Sequence, residues 1–183
     1  ISAVCGLTML GMQPASAGPA VSADEAREIA RETFVYAYPL ILSEITFRVG
    51  KNVEAPIGTS APLNQFGHMR EFPDPSFTIV VRPNADTLCS SLGYDVSKEP
   101  LIISVPAAGD RYYLLPFLDF WSDVFTVPGT RTTGNDARTF AIVGPNWKGQ
   151  LPDDVSEYRS PTGMGLLIGR TQTNGKVDYA AVR

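Results

Sequence analysis

The sequence has few of the residues on which metal, redox and nucleic-acid chemistry usually depend. Its 183 residues include two cysteines and one histidine, and 15 basic against 19 acidic side chains give a formal net charge of −4. No basic stripe is present, which argues against an extended nucleic-acid surface. A single histidine cannot supply a multi-histidine metal site within one chain. No run approaches the ~20 apolar residues that a transmembrane helix needs.

Familiar catalytic motifs are also missing. The chain contains no Gly-x-Ser-x-Gly, no His-Glu-x-x-His and no glycine-rich phosphate loop leading into a helix. A calcium site with oxygen ligands could draw on aspartates whose spacing matches no defined calcium loop, namely Asp86, Asp110, Asp119 and Asp123. The sequence therefore assigns no metal ligand and leaves any cofactor unknown.

The first residues resemble the end of a secretory signal peptide. Residues 4–12 are small and apolar, and a small-x-small cleavage pattern follows at 13–17. The sequence begins with Ile1, so the basic start of such a peptide is expected upstream. We therefore predict a signal-peptide remnant over residues 1–17 and an exported protein, periplasmic or secreted; the alternative is a short buried helix. Its removal would leave Cys89 as the one cysteine, without an internal disulfide and with an apolar neighbour that favours burial.

A helical segment is predicted over residues 18–50. Ser22 and Glu25 form a capping box, and apolar residues recur at helical spacing over 23–38. Pro39 is expected to kink or end this helix, because proline removes one helical hydrogen bond, and a second helical piece can follow. The wide apolar face predicts packing on a sheet or on a partner subunit, which allows a homo-oligomer.

The rest of the chain has the pattern of a β domain. A long irregular segment at 51–76, rich in proline and glycine, comes first. Apolar runs between turn signals then predict seven strands, at 77–81, 87–95, 101–105, 112–117, 124–127, 139–143 and 164–171. Short strands without alternating helices predict a mainly β domain over 77–183, an antiparallel β-sandwich or jelly-roll-like sheet, and α+β content once the N-terminal helix is included.

Several motifs, in order, resemble the domain-of-unknown-function family 1254. They are Arg82-Pro-Asn-Ala-Asp-Thr-Leu, Ser97-Lys-Glu-Pro, Gly109-Asp-Arg-Tyr-Tyr, Pro128-Gly-Thr-Arg-Thr-Thr-Gly, Val143-Gly-Pro-Asn-Trp-Lys-Gly and Ile168-Gly-Arg-Thr. The resemblance implies a bacterial, often exported, β-sandwich-like protein with a helical N-terminal part. It also implies a C-terminal second domain of family 1214, so the chain is expected to be cut at both ends. The family has no agreed activity, and its pattern usually places Tyr where this chain has Cys89.

The stretch from Arg82 to Ser91 is the leading candidate for a functional site. Asn84, Asp86 and Thr87 crowd polar groups at an expected strand end, where binding residues often lie. On a strand, Asn84 and Asp86 would project to one face and could orient a sugar, an acid or a water. The alternative is an Asx turn in which these side chains cap local backbone.

If the protein is an enzyme, acid–base chemistry is the predicted mechanism. His68 is assigned as the general base and Asp86 as the group that orients it. Asp119 is a third catalytic candidate, because it could share acid–base work with Asp123 as a carboxylate pair. The alternative for His68 is a loop residue that bonds to backbone, and carboxylate pairs are common in proteins without catalytic roles.

Further side chains are assigned to ligand binding. Arginine forks match carboxylate or phosphate geometry, although ion pairs of purely structural value are the alternative. Aromatic side chains could stack on a sugar or an aromatic ring, although core positions are the alternative. The assigned set is Asn64, Arg70, Arg82, Asn84, Thr87, Tyr113, Trp121 and Arg131, while Arg111 and Arg170 stand at similar strand ends.

These assignments support two hypotheses about function. In the first, an exported β-sandwich protein binds or acts on a small polar or anionic molecule, with hydrolase-type chemistry if it is an enzyme. In the second, the chain is a non-catalytic structural or oligomer-forming domain whose polar residues are turn caps and ion pairs. The sequence names no substrate.

Overall fold

The computed structural model describes residues 21–78 and 80–182, so the signal-peptide remnant predicted at 1–17 lies outside the described residues. The chain divides into two compact units, Ile1–Tyr36 and Ala37–Arg183. Helix α1 runs over Ala23–Lys51 and therefore starts in the first unit and ends in the second. Within the described ranges, no helix has the length and apolar content that crossing a membrane requires.

The start of α1 follows from its first four residues. The Ser22 hydroxyl accepts a hydrogen bond from the backbone N–H of Glu25 at 3.2 Å, as the capping box predicts. The helix then continues through Pro39, so it does not end there, and the kink predicted as the other outcome stays a prediction. Proline removes one N–H donor, but the bonds of the turns on either side persist in a helix this long. Ser43 is the one buried residue of α1, and its hydroxyl bonds to that of Ser122 at 2.9 Å.

The second unit is built from nine strands among the described residues. They are β1 Phe66–His68, β2 Thr87–Asp95, β3 Leu101–Val105, β4 Tyr113–Leu114, β5 Phe117–Asp119, β6 Val124–Thr126, β7 Arg138–Val143, β8 Val155–Arg159 and β9 Met164–Gln172, followed by a short helix α2, Tyr179–Val182. A six-stranded sheet has the order β1-β2-β9-β5-β6, with β4 also paired to β9. A three-stranded sheet has the order β3-β7-β8, in which β3 and β7 are antiparallel and β7 and β8 are parallel.

The hydrophobic core lies between the two sheets. Leu92 and Tyr94 of β2, with Leu167 of β9, supply the side of the larger sheet. The rings of Phe117 and Phe140 meet edge to face at 5.9 Å and join the sheets directly. The mainly β, sandwich-like fold with an N-terminal helix is thus confirmed.

Three local predictions need correction. The strand predicted at 77–81 is wrong, because the described residues of that range have no strand pairing and Val81 is almost fully exposed. The single strand predicted at 112–117 is divided in two before Phe117, since Pro116 cannot donate to a ladder. Strands β1 and β8 were not predicted, because three residues and a mixed polar pattern give little periodic signal.

Candidate functional site

A cleft of about 620 Å³ lies within the second unit, over the face of the β2–β9 ladder that points away from the core. Side chains alternate along a strand, so core residues and cleft residues take turns on both strands. The antiparallel register places three pairs of residues across the floor of this β2–β9 cleft: Cys89 and Arg170, Ser91 and Ile168, and Gly93 and Leu166.

Two parts of the chain form the walls of the β2–β9 cleft. The end of α1 contributes Ile45 and Val49, and the connections before β2 contribute Met69 and Phe77. Most of these side chains are apolar. The cleft therefore offers a ligand a largely hydrophobic interior with a small number of charged groups.

Lys51 lies on the cleft floor because Gly93 has no side chain. A Cβ built on Gly93 would lie 2.7 Å from Cε and 2.8 Å from Cδ of Lys51. The lysine stem thus occupies the space above β2 that any larger residue at position 93 would fill. Partial burial lowers the pKa of Lys51, because a charged amine loses hydration there.

Two arginines line the cleft near the start of β2. Arg170 is half-buried, and its guanidinium donates to the Cys89 thiol across the ladder. Arg82 is exposed and stands just before the strand. Neither arginine, nor Lys51, forms an ion pair with any residue that the structure describes. With Glu71 as the acidic member of the lining, the cleft carries a net positive charge in an acidic protein.

Asn84 forms an Asx turn at the mouth of the cleft. Its Oδ1 accepts hydrogen bonds from the backbone N–H groups of Asp86 at 2.7 Å and Thr87 at 3.0 Å. Its Nδ2 donates to the Thr87 hydroxyl at 2.7 Å. The turn-capping alternative is therefore present in the structure. Asn84 and Thr87 also line the cleft, and their ligand-binding role stays a prediction.

His68 lies beside the cleft, next to Ser90, which is one of the lining residues. On β1 it pairs with Ser90, and its Nδ1 lies 2.8 Å from the Ser90 hydroxyl. Its ring stacks on Phe66 at 5.5 Å. Partial desolvation, and then the charge of Arg70, lower the pKa of His68 and favour the neutral ring. His68 is not among the residues that line the cleft.

The two predicted catalytic aspartates are likewise outside the cleft lining. Asp119 is buried, and its Oδ1 accepts from the backbone N–H groups of Trp121 at 2.8 Å and Asp123 at 3.0 Å, which caps the turn between β5 and β6. Asp86 is exposed beside the Asn84 turn. The structure does not group these carboxylates with His68, and their catalytic roles stay predictions without support from this cleft.

Asn64 and Tyr113 have structural partners. Asn64, in a left-handed conformation with φ 59°, accepts from the Asp95 N–H at 2.9 Å and ties the preceding loop to β2. Tyr113 is buried, and its hydroxyl donates to the Gly134 carbonyl at 3.2 Å. Neither residue lines the cleft.

Arg70, Trp121 and Arg131 also lie apart from the cleft lining. Arg70 is exposed, between two residues that do line it. Trp121 is half-buried in the turn after β5. Arg131 is exposed, and its guanidinium carbon lies 5.7 Å from the centre of the Tyr112 ring. Of the predicted ligand-binding set, Arg82, Asn84 and Thr87 are the members that the cleft brings together.

Neither Lys51 nor the pairing of Cys89 with Arg170 was predicted from the sequence. Period-two alternation over β2 and β9 is the signal that could have separated core residues from cleft residues. Lys51 has the ordinary appearance of a basic residue in the last turn of a helix. No group of three or more His, Cys, Asp and Glu side chains is arranged to hold a metal in the part of the chain that the structure describes.

The two-layer fold and this cleft define a class of protein, a β-sandwich domain with an apolar, positively charged cleft on the outer face of its larger sheet. The chain belongs to the family described as protein of unknown function, DUF1254, whose model matches residues 63–183. The predicted resemblance is thereby confirmed.

Two solved structures resemble the chain. The VPA0106 protein from Vibrio parahaemolyticus matches with 26% identity and a TM-score of 0.64 over 85% of this chain, which spans 35% of that protein. A putative uncharacterized protein from Burkholderia cenocepacia matches with 9% identity and a TM-score of 0.41, over 65% of this chain and 36% of its own. No curated protein matches the sequence.

Proposed function

We propose that the second unit binds a small amphipathic anion in the β2–β9 cleft. The observation that carries this proposal is the set of three cations, Lys51, Arg82 and Arg170. They line a largely apolar cleft together with Glu71, and none of them forms an ion pair with a carboxylate among the described residues. Such cations contrast with Arg111, whose guanidinium is paired with Asp178 at 2.6 Å.

A half-buried cation without a carboxylate partner favours an anion from solution. Partial burial removes hydration from Arg170 and Lys51, so a bound carboxylate or phosphate would replace what the side chains have lost. Guanidinium groups match such anions with paired N–H donors. The positive lining would also raise the local concentration of anions near a chain that is negative as a whole.

The apolar lining indicates what the anion is attached to. Leu166 and Ile168 on the floor, with Val49 on the wall, offer hydrophobic contact to a hydrocarbon body. The volume of about 620 Å³ falls in the range of small-molecule sites, roughly 300–1,000 Å³. A fully hydrophilic anion would leave this surface in contact with water.

The cleft favours binding over hydrolysis. His68, Asp86 and Asp119 do not line it, so a His-centred acid–base mechanism has no support there. Hydrolase-type chemistry, export to the periplasm or beyond, and the contribution of a C-terminal domain remain part of the proposal on sequence grounds. The rival, a purely structural domain, predicts no ligand in this cleft.

Calorimetric titration of the full chain with four matched probes tests the proposal. Dodecanoate and dodecyl phosphate should bind, whereas dodecanol and dodecylammonium should bind at least 10-fold more weakly, because a charge-assisted hydrogen bond contributes roughly 1.5–3 kcal/mol. Equal binding of the neutral or cationic probe would exclude an anion site, and no binding of any probe would favour the structural rival.

Substitutions test whether the ligand binds in this cleft. Arg82→Gln combined with Arg170→Gln should weaken dodecanoate binding by about 10-fold or more. The matched control is Arg27→Gln, which alters an exposed arginine in the first unit that pairs with Asp24. Circular dichroism checks that each variant is folded. A loss of affinity in the control, or none in the double variant, would locate the site elsewhere.

A further inference from the structure

Two cations of the β2–β9 cleft, Arg170 and Lys51, stand at opposite ends of its floor. The Arg170 guanidinium lies at the Cys89 thiol, so its position along β2 is that of residue 89. The Lys51 stem lies over Gly93, so its amine is near residue 93. Four residues of an extended strand separate these points, a distance of ~13 Å.

The floor between these two ends carries no charged side chain. Ser91 and Ile168 face each other there, and Leu166 and Val49 extend the apolar surface toward Lys51. The Ser91 hydroxyl donates to the Thr59 carbonyl, so its hydrogen-bonding capacity is already partly used. The middle of the cleft is therefore suited to a hydrocarbon segment.

A ligand with one anionic head and an apolar tail fits only half of this pattern. With its head at Arg170, its tail would end against the Lys51 amine, which burial already disfavours in the charged state. A second anionic group at that end would restore a partner to the amine. The same cleft would then satisfy both cations and bury the segment between them.

From this spacing we propose that the preferred ligand is an elongated dianion, such as an α,ω-dicarboxylate, with an apolar middle. One carboxylate binds Arg170, the chain lies over Ile168, and the other carboxylate binds Lys51. This inference rests on the proposed function and adds the class of ligand. It assigns Lys51 the role of recognising the far end of the molecule.

Three probes test the inference on the full chain: dodecanedioate, dodecanoate and succinate, each below any micelle-forming concentration. Extended dodecanedioate has a length comparable with the ~13 Å spacing, whereas succinate is too short to span it. Dodecanedioate should bind about 10-fold more tightly than dodecanoate, and succinate should show no such gain.

Variants of Lys51 test whether this side chain is responsible for the higher affinity for dodecanedioate. Lys51→Met should abolish the advantage of dodecanedioate over dodecanoate, while Lys51→Arg should keep that advantage. The control Lys98→Met changes an exposed lysine in the turn after β2 and should alter neither affinity. The comparison of probes on the unaltered chain needs no variant to fold.

The outcomes separate this inference from the proposed function. Equal affinity for dodecanoate and dodecanedioate would overturn the proposal of a dianionic ligand and leave the proposed anion site standing. An equal loss of both affinities in Lys51→Met would overturn the specific role of Lys51. If neither probe binds, the proposed function itself fails.

Discussion

The two faces of the β2–β9 ladder use the same strands and the same register for opposite purposes. On the core face, Leu92, Tyr94 and Leu167 are buried against the smaller sheet. On the cleft face, Arg170 and Ile168 remain in contact with solvent. Core residues pack closely, whereas the cleft keeps cations for which the described residues provide no carboxylate partner. The contrast shows which side of the sheet serves stability and which is available for a ligand.

The largest expected effect is the difference in unfolding free energy between truncating a leucine on the core face and truncating an isoleucine on the cleft face. Leu92→Ala removes a core side chain that is 1% exposed and should lower the free energy of unfolding by about 2–5 kcal/mol, through lost burial and a residual cavity. Ile168→Ala removes a side chain that is 43% exposed and should cost about 1 kcal/mol or less. Urea denaturation of both variants gives the two values. Similar losses would show that the cleft face is as closely packed as the core.

A matched pair of glycines makes a second comparison. A Cβ at Gly165 would lie 2.1 Å from the Tyr94 hydroxyl oxygen and 2.3 Å from the Leu118 carbonyl oxygen, so Gly165→Ala should cost ~3 kcal/mol. At Gly93 the nearest atoms belong to the flexible end of Lys51, and Gly93→Ala should cost ~1 kcal/mol or less.

The two glycine variants should have the opposite order of effect on ligand binding from the one that they have on stability. Gly93→Ala displaces the Lys51 stem and should reduce the advantage of dodecanedioate over dodecanoate, whereas folded Gly165→Ala should retain it. Thermal unfolding and calorimetric titration of both proteins provide the readouts. An unchanged probe preference in Gly93→Ala would mean that Lys51 does not depend on this contact.

The core face could be predicted from sequence because alternation and burial act within one strand. The bounds of β2 and β3 agree with the predicted strands at 87–95 and 101–105, and Ser22 caps α1 as predicted. The run at 77–81 has similar apolar residues, but nearby prolines cannot donate to a ladder and no neighbouring strand pairs with its described residues. Local propensity without a partner strand does not make a sheet.

The cleft face could be predicted only in part. Arg82, Asn84 and Thr87 were found because they are crowded within one short stretch. Lys51 acquires its position from the missing side chain of Gly93, which is distant in sequence, so no local pattern reports it. His68 and Ser90 are brought together by a strand of three residues, which is too short to give a periodic signal in the sequence.

The paired arginine of the second unit provides the smallest and most specific contrast with the unpaired cations of the cleft. Arg111 and the Asn174 backbone N–H hold the pKa of Asp178 well below its usual range. A carboxyl whose folded pKa is depressed stabilises the fold above its unfolded pKa of ~3.9 and loses that contribution as pH falls toward the folded value.

Asp178→Asn should therefore be less stable than the unaltered chain at neutral pH, and the difference should shrink as pH falls below ~4. Arg170→Gln should show no such convergence, since Arg170 has no carboxylate partner among the described residues. Urea midpoints from pH 2 to 7 measure the stability of both variants. If Asp178→Asn were less stable by the same amount at every pH, the ion pair would not lower the pKa of the Asp178 carboxyl in solution.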